Sequence, residues 1–510
     1  MTNKQVEAMV RRRWGVLAIL CTSLLLVSID ATVLHMAIPA IADELKPNYT
    51  EQLWIIDIYS LLAAPLLLAF GTLGDHFGRR RVLVLGYVVF GLASLAAALS
   101  TTVPMLIASR AALGVGGAMI MPATLSILRQ AFPDRAERRM AIGVWSGVAG
   151  SGAVVGPLLG GFLVQNFSWH AAFLINVPVM LVALPLTFWL IPESSNPPGG
   201  RWDITSAALS ALGVVGIAFA IKQTGHGGLM SVLGPLAGLA GVLLLVAFVR
   251  RQRRLEHPLL DVALFTRAPF SVAVGSVLLV MLSLVGLGLF FAQYLQLVLV
   301  LEPLDAALRL LWVTGAAVIG SLVAGPLLQR FNNRLLTVAG FAVTGLSLVP
   351  AVLWLDTTDN NALLAPVLAG VGFGISIALT AASDALLAAA PAEQAGAASA
   401  TEETAYELGA GLGIAILGSI MAVVYSANFP VLPDVPPEVL ENARRGLTDA
   451  AASVGGLPAP LTEQVLTAAR EAFVLGLHVT LIVSVCVFAV ASFAAARLLP
   501  KTGPGQHDHH

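Results

Sequence analysis

Fourteen long apolar runs fill most of the chain, and short polar, glycine-bearing or proline-bearing breaks separate them. They cover residues 14–37, 52–72, 81–99, 103–128, 140–164, 171–190, 204–223, 230–249, 270–297, 308–328, 335–355, 362–390, 398–426 and 473–498. A helix crosses the hydrocarbon core in about 20 apolar residues, so these runs match the length of a span. They are too long for the strands of a membrane β-barrel and do not alternate polar with apolar positions. The pattern predicts an all-α membrane protein with fourteen transmembrane helices, embedded in the lipid bilayer.

Charge supports this reading. Only 11% of the 510 residues are Asp, Glu, Lys or Arg, and 57% are apolar. A soluble domain carries about 25% charged residues, and this chain has too few to coat a soluble surface. The net charge of −1 supplies no basic field for nucleic acid. With the N-terminus in the cytoplasm, Lys46, Lys222, Arg444, Arg445 and Arg470 fall outside and Arg110 and Arg309 fall within or at the edge of a span. The other 21 of the 28 Lys and Arg then lie inside. That bias follows the positive-inside rule, and an even number of spans puts both termini in the cytoplasm. Cys21 and Cys486 lie inside apolar runs and read as small buried hydrophobes, not a disulfide. No cleavable signal peptide is evident, because the first run is of full spanning length and follows Arg11, Arg12 and Arg13.

Two inside turns resemble each other. Gly71-Thr72-Leu73-Gly74-Asp75-His76-Phe77-Gly78-Arg79-Arg80 follows the second run. Gly325-Pro326-Leu327-Leu328-Gln329-Arg330-Phe331-Asn332-Asn333-Arg334 follows the tenth. The repeat suggests a 6 + 2 + 6 arrangement: an N-terminal half over 1–198, a two-helix linker over 199–254 and a C-terminal half over 255–510. The segment 428–471 is the longest stretch between runs. Helical apolar spacing on both its flanks predicts a short helical hairpin at the outer face. The tail His507-Asp508-His509-His510 reads as a solvated end, and no metal site is expected.

Ionisable groups inside a span are expensive and mark function by default. Here they are Asp30, Asp57, Arg110, Asp384, Glu403 and Glu407. At about 1.5 Å per residue, Asp30, Asp57 and Arg110 lie at similar depth in the outer half. Glu403 and Glu407 share a helix face at i, i+4. Asp384 falls near the inner end of its run. Glu302 and Asp305 lie in the outer loop before the tenth run. A dehydrated carboxylate exchanges a proton for a cation, because dehydration favours the neutral acid and a nearby positive charge favours the anion. The expectation is a set of carboxylates facing a water-filled cavity, with Arg110 tuning one of them. Trp54, Tyr59, Met119, Met121, Phe290, Phe291 and Tyr406 offer aromatic or soft apolar surface to a bulky cation.

Several motifs are similar to those of one family. Gly71-x-Leu73-x-Asp75-x-x-Gly78-Arg79-Arg80-Arg81 resembles the signature loop of the major facilitator superfamily, a glycine turn with charges suited to a gating latch. Arg110-Ala111-Ala112-Leu113-Gly114-Val115-Gly116 resembles its intramembrane-arginine motif. Gly152-Ala153-Val154-Val155-Gly156-Pro157-Leu158-Leu159-Gly160-Gly161 resembles its antiporter motif, with Gly152, Gly156 and Gly160 forming one smooth face and Pro157 bending the helix. Asp30-Ala31-Thr32-Val33-Leu34-His35-Met36-Ala37-Ile38-Pro39 looks like the motif of the fourteen-helix drug:proton antiporter family, with His35 where Asn is common. Leu53–Ser60 and Glu403–Gly409 extend the likeness to the QacA, LfrA and SmvA group of multidrug exporters. One departure is Gln329, which stands where the first turn has Asp75.

The resemblance implies export of quaternary ammonium antiseptics, biguanides and cationic dyes across a bacterial inner membrane in exchange for protons, by a protein functional as a monomer and without a cofactor. An ATP-driven pump is not supported: no Gly-x-x-x-x-Gly-Lys-Ser/Thr loop occurs. An enzyme is not supported either, since there is no His-Glu-x-x-His and no Gly-x-Ser-x-Gly. The alternative is a proton-coupled transporter of the same fold whose cargo is a lipid or endogenous metabolite.

Overall fold

A computed structural model describes residues 12–194, 203–227, 232–256, 258–390 and 395–500. Within them, the side chains at 75, 135, 136, 139, 146, 149, 150, 153, 224–227, 395 and 396 are outside the description. The side chain of the latch residue Asp75 and the whole histidine tail therefore lie outside the description.

The described residues form helices and no β-strand. In order they are α1 Arg13–Leu45, α2 Tyr49–Phe77, α3 Arg79–Ala98, α4 Val103–Ala131, α5 Arg135–Asn166, α6 Trp169–Leu174 and α7 Asn176–Leu190. Then come α8 Ile204–Gly227, α9 Leu233–Gln252, α10 Ala268–Gln293, α11 Pro303–Leu328, α12 Asn333–Trp354, α13 Asn361–Ala389 and α14 Ala395–Asn428. Short α15 Pro437–Ala443 and α16 Leu447–Ser453 precede the long α17 Ala459–Leu498. Thirteen helices among the described residues are long and apolar enough to cross a membrane. The fifth apolar run falls within α5, whose described apolar stretch is Val154–Asn166.

Local chemistry starts these helices where the sequence breaks. Asn48 Oδ1 accepts from Glu51 N at 3.0 Å, and Glu51 Oε2 accepts from Asn48 N at 2.8 Å. This reciprocal capping box satisfies two backbone donors at the start of α2. Asn332 and Asn360 cap α12 and α13 with one bond each, accepting from Leu335 N and Leu363 N.

Several boundaries differ from the sequence expectation. The first run ends at residue 37, whereas α1 continues through Pro39 to Leu45, because a proline removes one backbone donor and the helix resumes beyond it. The sixth run is broken at Ile175 into α6 and α7. Asp305 lies in the first turn of α11, not in a loop. The hairpin is also different: 461–466 is the start of α17, and the partner segments are α15 and α16. Cys21 is buried as expected, whereas Cys486 is exposed on α17; both are free.

The chain forms two compact units. Unit 1 comprises Met1–Ala37, Ile58–Gly216 and Ala240–Leu260. Unit 2 comprises Ile38–Asp57, Ile217–Leu239 and Asp261–His510. Helices α1, α2, α8 and α9 therefore contribute to both. Lipid tails are as apolar as leucine, so close packing rather than hydrophobic transfer holds such helices together. In unit 1, a Cβ added to Gly116 of α4 would lie 2.9 Å from Phe90 N of α3. In unit 2, a Cβ added to Gly413 of α14 would lie 2.8 Å from the Leu282 carbonyl carbon of α10. A cluster including Phe270, Val277, Leu386, Ala405 and Ala495 ties α10, α13, α14 and α17 together.

Candidate functional site

Unit 1 buries an ionic centre at the second turn of α4. Arg110 Nη1 donates to Asp30 Oδ2 of α1 at 2.5 Å, and the two side chains are 1% and 0% exposed. The break at Ile175 places Asn176 at the start of α7, where its Nδ2 donates to Asp30 Oδ1 at 3.1 Å and to Ser94 Oγ at 3.2 Å. Both carboxylate oxygens are thus engaged. The Arg110 guanidinium carbon lies 5.0 Å from the Tyr59 ring centre. Glycine makes room for that ring: a Cβ at Gly117 would lie 2.5 Å from Tyr59 Oη. His35 is buried five residues beyond Asp30 on α1, and its Nε2 has no hydrogen-bond partner among the described residues.

Unit 2 holds a second centre of different chemistry. Lys222 Nζ of α8 donates to Asp57 Oδ1 of α2 at 2.6 Å, with exposures of 1% and 0%. The same nitrogen lies 3.4 Å from the centre of the Trp54 ring, one turn earlier on α2. Phe219, one turn before Lys222, has its ring 6.3 Å from that of Trp54. The ammonium is held between a carboxylate and an aromatic face, the two groups that attract an organic cation.

A third acidic group lies on α14. Glu407 is buried and Glu403 lies one turn before it. Glu402 accepts a hydrogen bond from Ser383 Oγ of α13. Tyr406 is exposed, whereas Phe290 and Phe291 are buried within unit 2. Met119 is buried against Gly86, and Met121 is half-buried. Asp384 is exposed and accepts from Asn333 Nδ2 at 2.7 Å.

The family model of the Major Facilitator Superfamily matches residues 20–414. The chain belongs to the Major Facilitator Superfamily.

This facilitator is 38% identical to the multidrug efflux pump LfrA of Mycolicibacterium smegmatis, over 94% of the chain and 95% of the relative. It is 38% identical to the methyl viologen resistance protein SmvA of Salmonella typhimurium, over 91% and 93%. Its fold is similar to the inward-facing, unoccupied crystal structure of a bacterial homologue of the human lysosomal transporter Spinster. The TM-score is 0.64 at 17% identity, covering 96% of this chain and 98% of the other. With its apolar helices, the facilitator is a multi-pass protein of the bacterial inner membrane.

The facilitator's signature motifs have definite partners. Gly78 adopts φ +108°, a conformation open to glycine, and the Glu193 carboxylate occupies the space a Cβ would fill. Arg80 N donates to Glu193 Oε1 at 3.2 Å, while the Arg80 and Arg81 Nε atoms lie 3.8 and 3.6 Å from Glu193 Oε2. Arg79 N donates to the Ser194 carbonyl at 2.9 Å. Gly71 of the same motif lies within α2, not in a turn, and faces Pro122. On α5, Gly152, Gly156 and Gly160 all face α1, where added Cβ atoms would collide with Ser28, Thr32 and Val33. Thr32 Oγ1 donates to the Gly152 carbonyl at 3.1 Å across that interface. Pro157 lies between the last two glycines.

Three groups escape a sequence reading. Lys222, expected outside as a loop cation, is buried against Asp57, because its face of α8 turns toward α2. Asn176 reads as an ordinary polar residue near a proline, and only the break in the sixth run exposes its role. Glu193 lies beyond the sixth run, far in sequence from the arginines it holds.

Proposed function

We propose that this facilitator is a proton-coupled antiporter that exports lipophilic cations, including quaternary ammonium compounds, biguanides and dyes. In this reading the chain crosses the membrane fourteen times as 6 + 2 + 6, over 1–198, 199–254 and 255–510, with both termini cytoplasmic. It works as a monomer. The two six-helix halves rock to give alternating access, the loop around Asp75 and Arg79 acts as the gate, and the cargo leaves chemically unchanged.

The observation that carries the reading is the ammonium held by Asp57 and Trp54. A carboxylate with an aromatic wall, sunk in an apolar bundle, is a cation receptor, and protonation of the carboxylate turns it off. The names of two relatives, for multidrug efflux and methyl viologen resistance, support the cargo class. Glu403 and Glu407 supply further proton-exchanging carboxylates, while Arg110 keeps Asp30 oriented. Moving one charge across 100 mV is worth about 2.3 kcal/mol, enough to drive a cation uphill.

The test is transport by the purified protein in proteoliposomes. An imposed proton gradient is expected to drive ethidium or tetraphenylphosphonium against its own gradient, and an uncoupler is expected to stop it. Gradient-independent leakage, or transport of a neutral lipid with no cation movement, overturns the reading.

A further inference from the structure

The two buried ion pairs use different cations, and the difference has a chemical meaning. Arg110 in unit 1 is a planar guanidinium with several donors, and it shares Asp30 with Asn176. Lys222 in unit 2 is a compact point charge on a flexible four-carbon stem. It meets Asp57 through one oxygen at 2.6 Å and lies 3.4 Å above Trp54. An arginine fork locks a carboxylate; a lysine head can leave one without any movement of its helix.

The backbone of α8 is fixed independently at this point. Ser419 Oγ of α14, which donates to the Ala415 carbonyl of its own helix at 2.7 Å, also lies 3.3 Å from the Ile221 carbonyl. Ala220 and Gln223 receive the glycine face of α9, where Cβ atoms added to Gly238 and Gly234 would lie 3.0 and 3.2 Å away. The helix is thus anchored on both sides of Lys222 while the side chain alone enters the receptor. Only Lys4, Lys46, Lys222 and Lys501 occur in the whole chain, and this one is buried.

We propose that the Lys222 ammonium is a tethered occupant of the cation site formed by Asp57 and Trp54, and that exported cations enter this site only by displacing it. The proposal rests on the cation-export reading and names how its site is guarded. With Lys222 docked, the site is electrically neutral and its aromatic face is covered. A cation gains both groups only from the fraction of molecules in which Lys222 has withdrawn. The apparent dissociation constant is then the intrinsic one divided by that fraction. Lys222 thereby sets which cations are held: a weakly bound one loses to the tether, and a bulky lipophilic one wins through its own apolar contacts. After release, return of the tether keeps Asp57 from standing uncompensated in the bundle.

The experiment is equilibrium titration of the purified full-length protein in nanodiscs with tetraphenylphosphonium. Lys222→Gln is expected to bind at least tenfold more tightly than wild type. Asp57→Asn combined with Lys222→Gln is expected to lose that gain. A folded Lys222→Gln protein that binds no more tightly than wild type overturns the proposal. If Lys222→Gln does not fold, Lys222→Arg decides: a locked fork is expected to weaken binding at least tenfold, and wild-type affinity overturns the proposal. Wild type that neither binds nor transports the cation sinks the export reading as well. Wild type that does both while the Lys222 variants match it sinks the tether alone.

Discussion

Arg110 of α4 and Asp30 of α1 meet at 2.5 Å, eighty positions apart in sequence and almost fully removed from solvent. Burial of a charge is tolerable only while its partner remains. Arg110→Ala leaves Asp30 with Asn176 alone and is expected to destabilise the protein by about 3–5 kcal/mol. Arg110→Lys keeps the charge but loses the guanidinium plane that lies over Tyr59, so it is expected to fall between the two. Thermal unfolding of the purified variants ranks them. A melting temperature for Arg110→Ala equal to wild type contradicts a structural role for the pair.

Trp54 contributes an aromatic face to the cation held at Asp57. A desolvated cation–π contact is worth about 2 kcal/mol, on the order of tenfold or more in affinity. Trp54→Ala is therefore expected to weaken tetraphenylphosphonium binding on the order of tenfold. Trp54→Phe, which keeps a ring, is expected to lose less. Equal losses for both variants point to packing of the indole, not its face, as the source of the effect.

Gly156 lets α5 approach α1 at Thr32. Gly156→Leu forces the helices apart and is expected to abolish transport and lower stability by about 1–3 kcal/mol, the usual cost of overpacking. Gly143→Ala on the same helix is the control. A Cβ there meets nothing within 4 Å among the described residues, so stability is expected to stay within about 0.5 kcal/mol of wild type. Parallel transport assays and melting curves check both.

These residues differ in how visible they are along the chain. The glycines of α5 repeat every fourth position, and that spacing alone places them on one face. Apolar length marks the spanning helices because lipid leaves the backbone few alternatives. The Asp57–Lys222 pair was invisible for the opposite reason. A lysine at the end of an apolar run has the same local signature whether it faces a headgroup or a carboxylate 165 residues away. The hairpin misled through polarity: Thr462, Glu463 and Gln464 interrupt the apolar pattern, yet they belong to the polar start of α17, which continues unbroken to Leu498. Asn176 needed knowledge of a helix break, which hydropathy does not carry.

Asp449 of α16 gives the pH prediction, since it lies outside the membrane-spanning helices. The short helix is held against α2 by Gln52, whose Nε2 donates to Thr448 Oγ1 at 2.7 Å. Burial pushes the Asp449 carboxyl up from the usual range to about 7; Arg445 opposes this, Glu51 adds to it, and the Tyr49 backbone N–H opposes it. Its Oδ2 has no hydrogen-bond partner among the described residues. A raised carboxyl pKa means that the docked segment binds a proton more tightly than the released one. Docking is therefore strongest below about pH 4, weakens as pH rises toward about 7 and changes little beyond. Inside that window, a rise of one in pH weakens the docking equilibrium by up to about tenfold. Amide exchange over 437–453, corrected for intrinsic rates, is expected to speed up at least tenfold between about pH 5 and about pH 8. Asp449→Asn removes the titrating proton and keeps the shape, so its exchange is expected to be slow and flat across that range. A wild-type profile as flat as that of the variant means that Asp449 does not control how this segment docks.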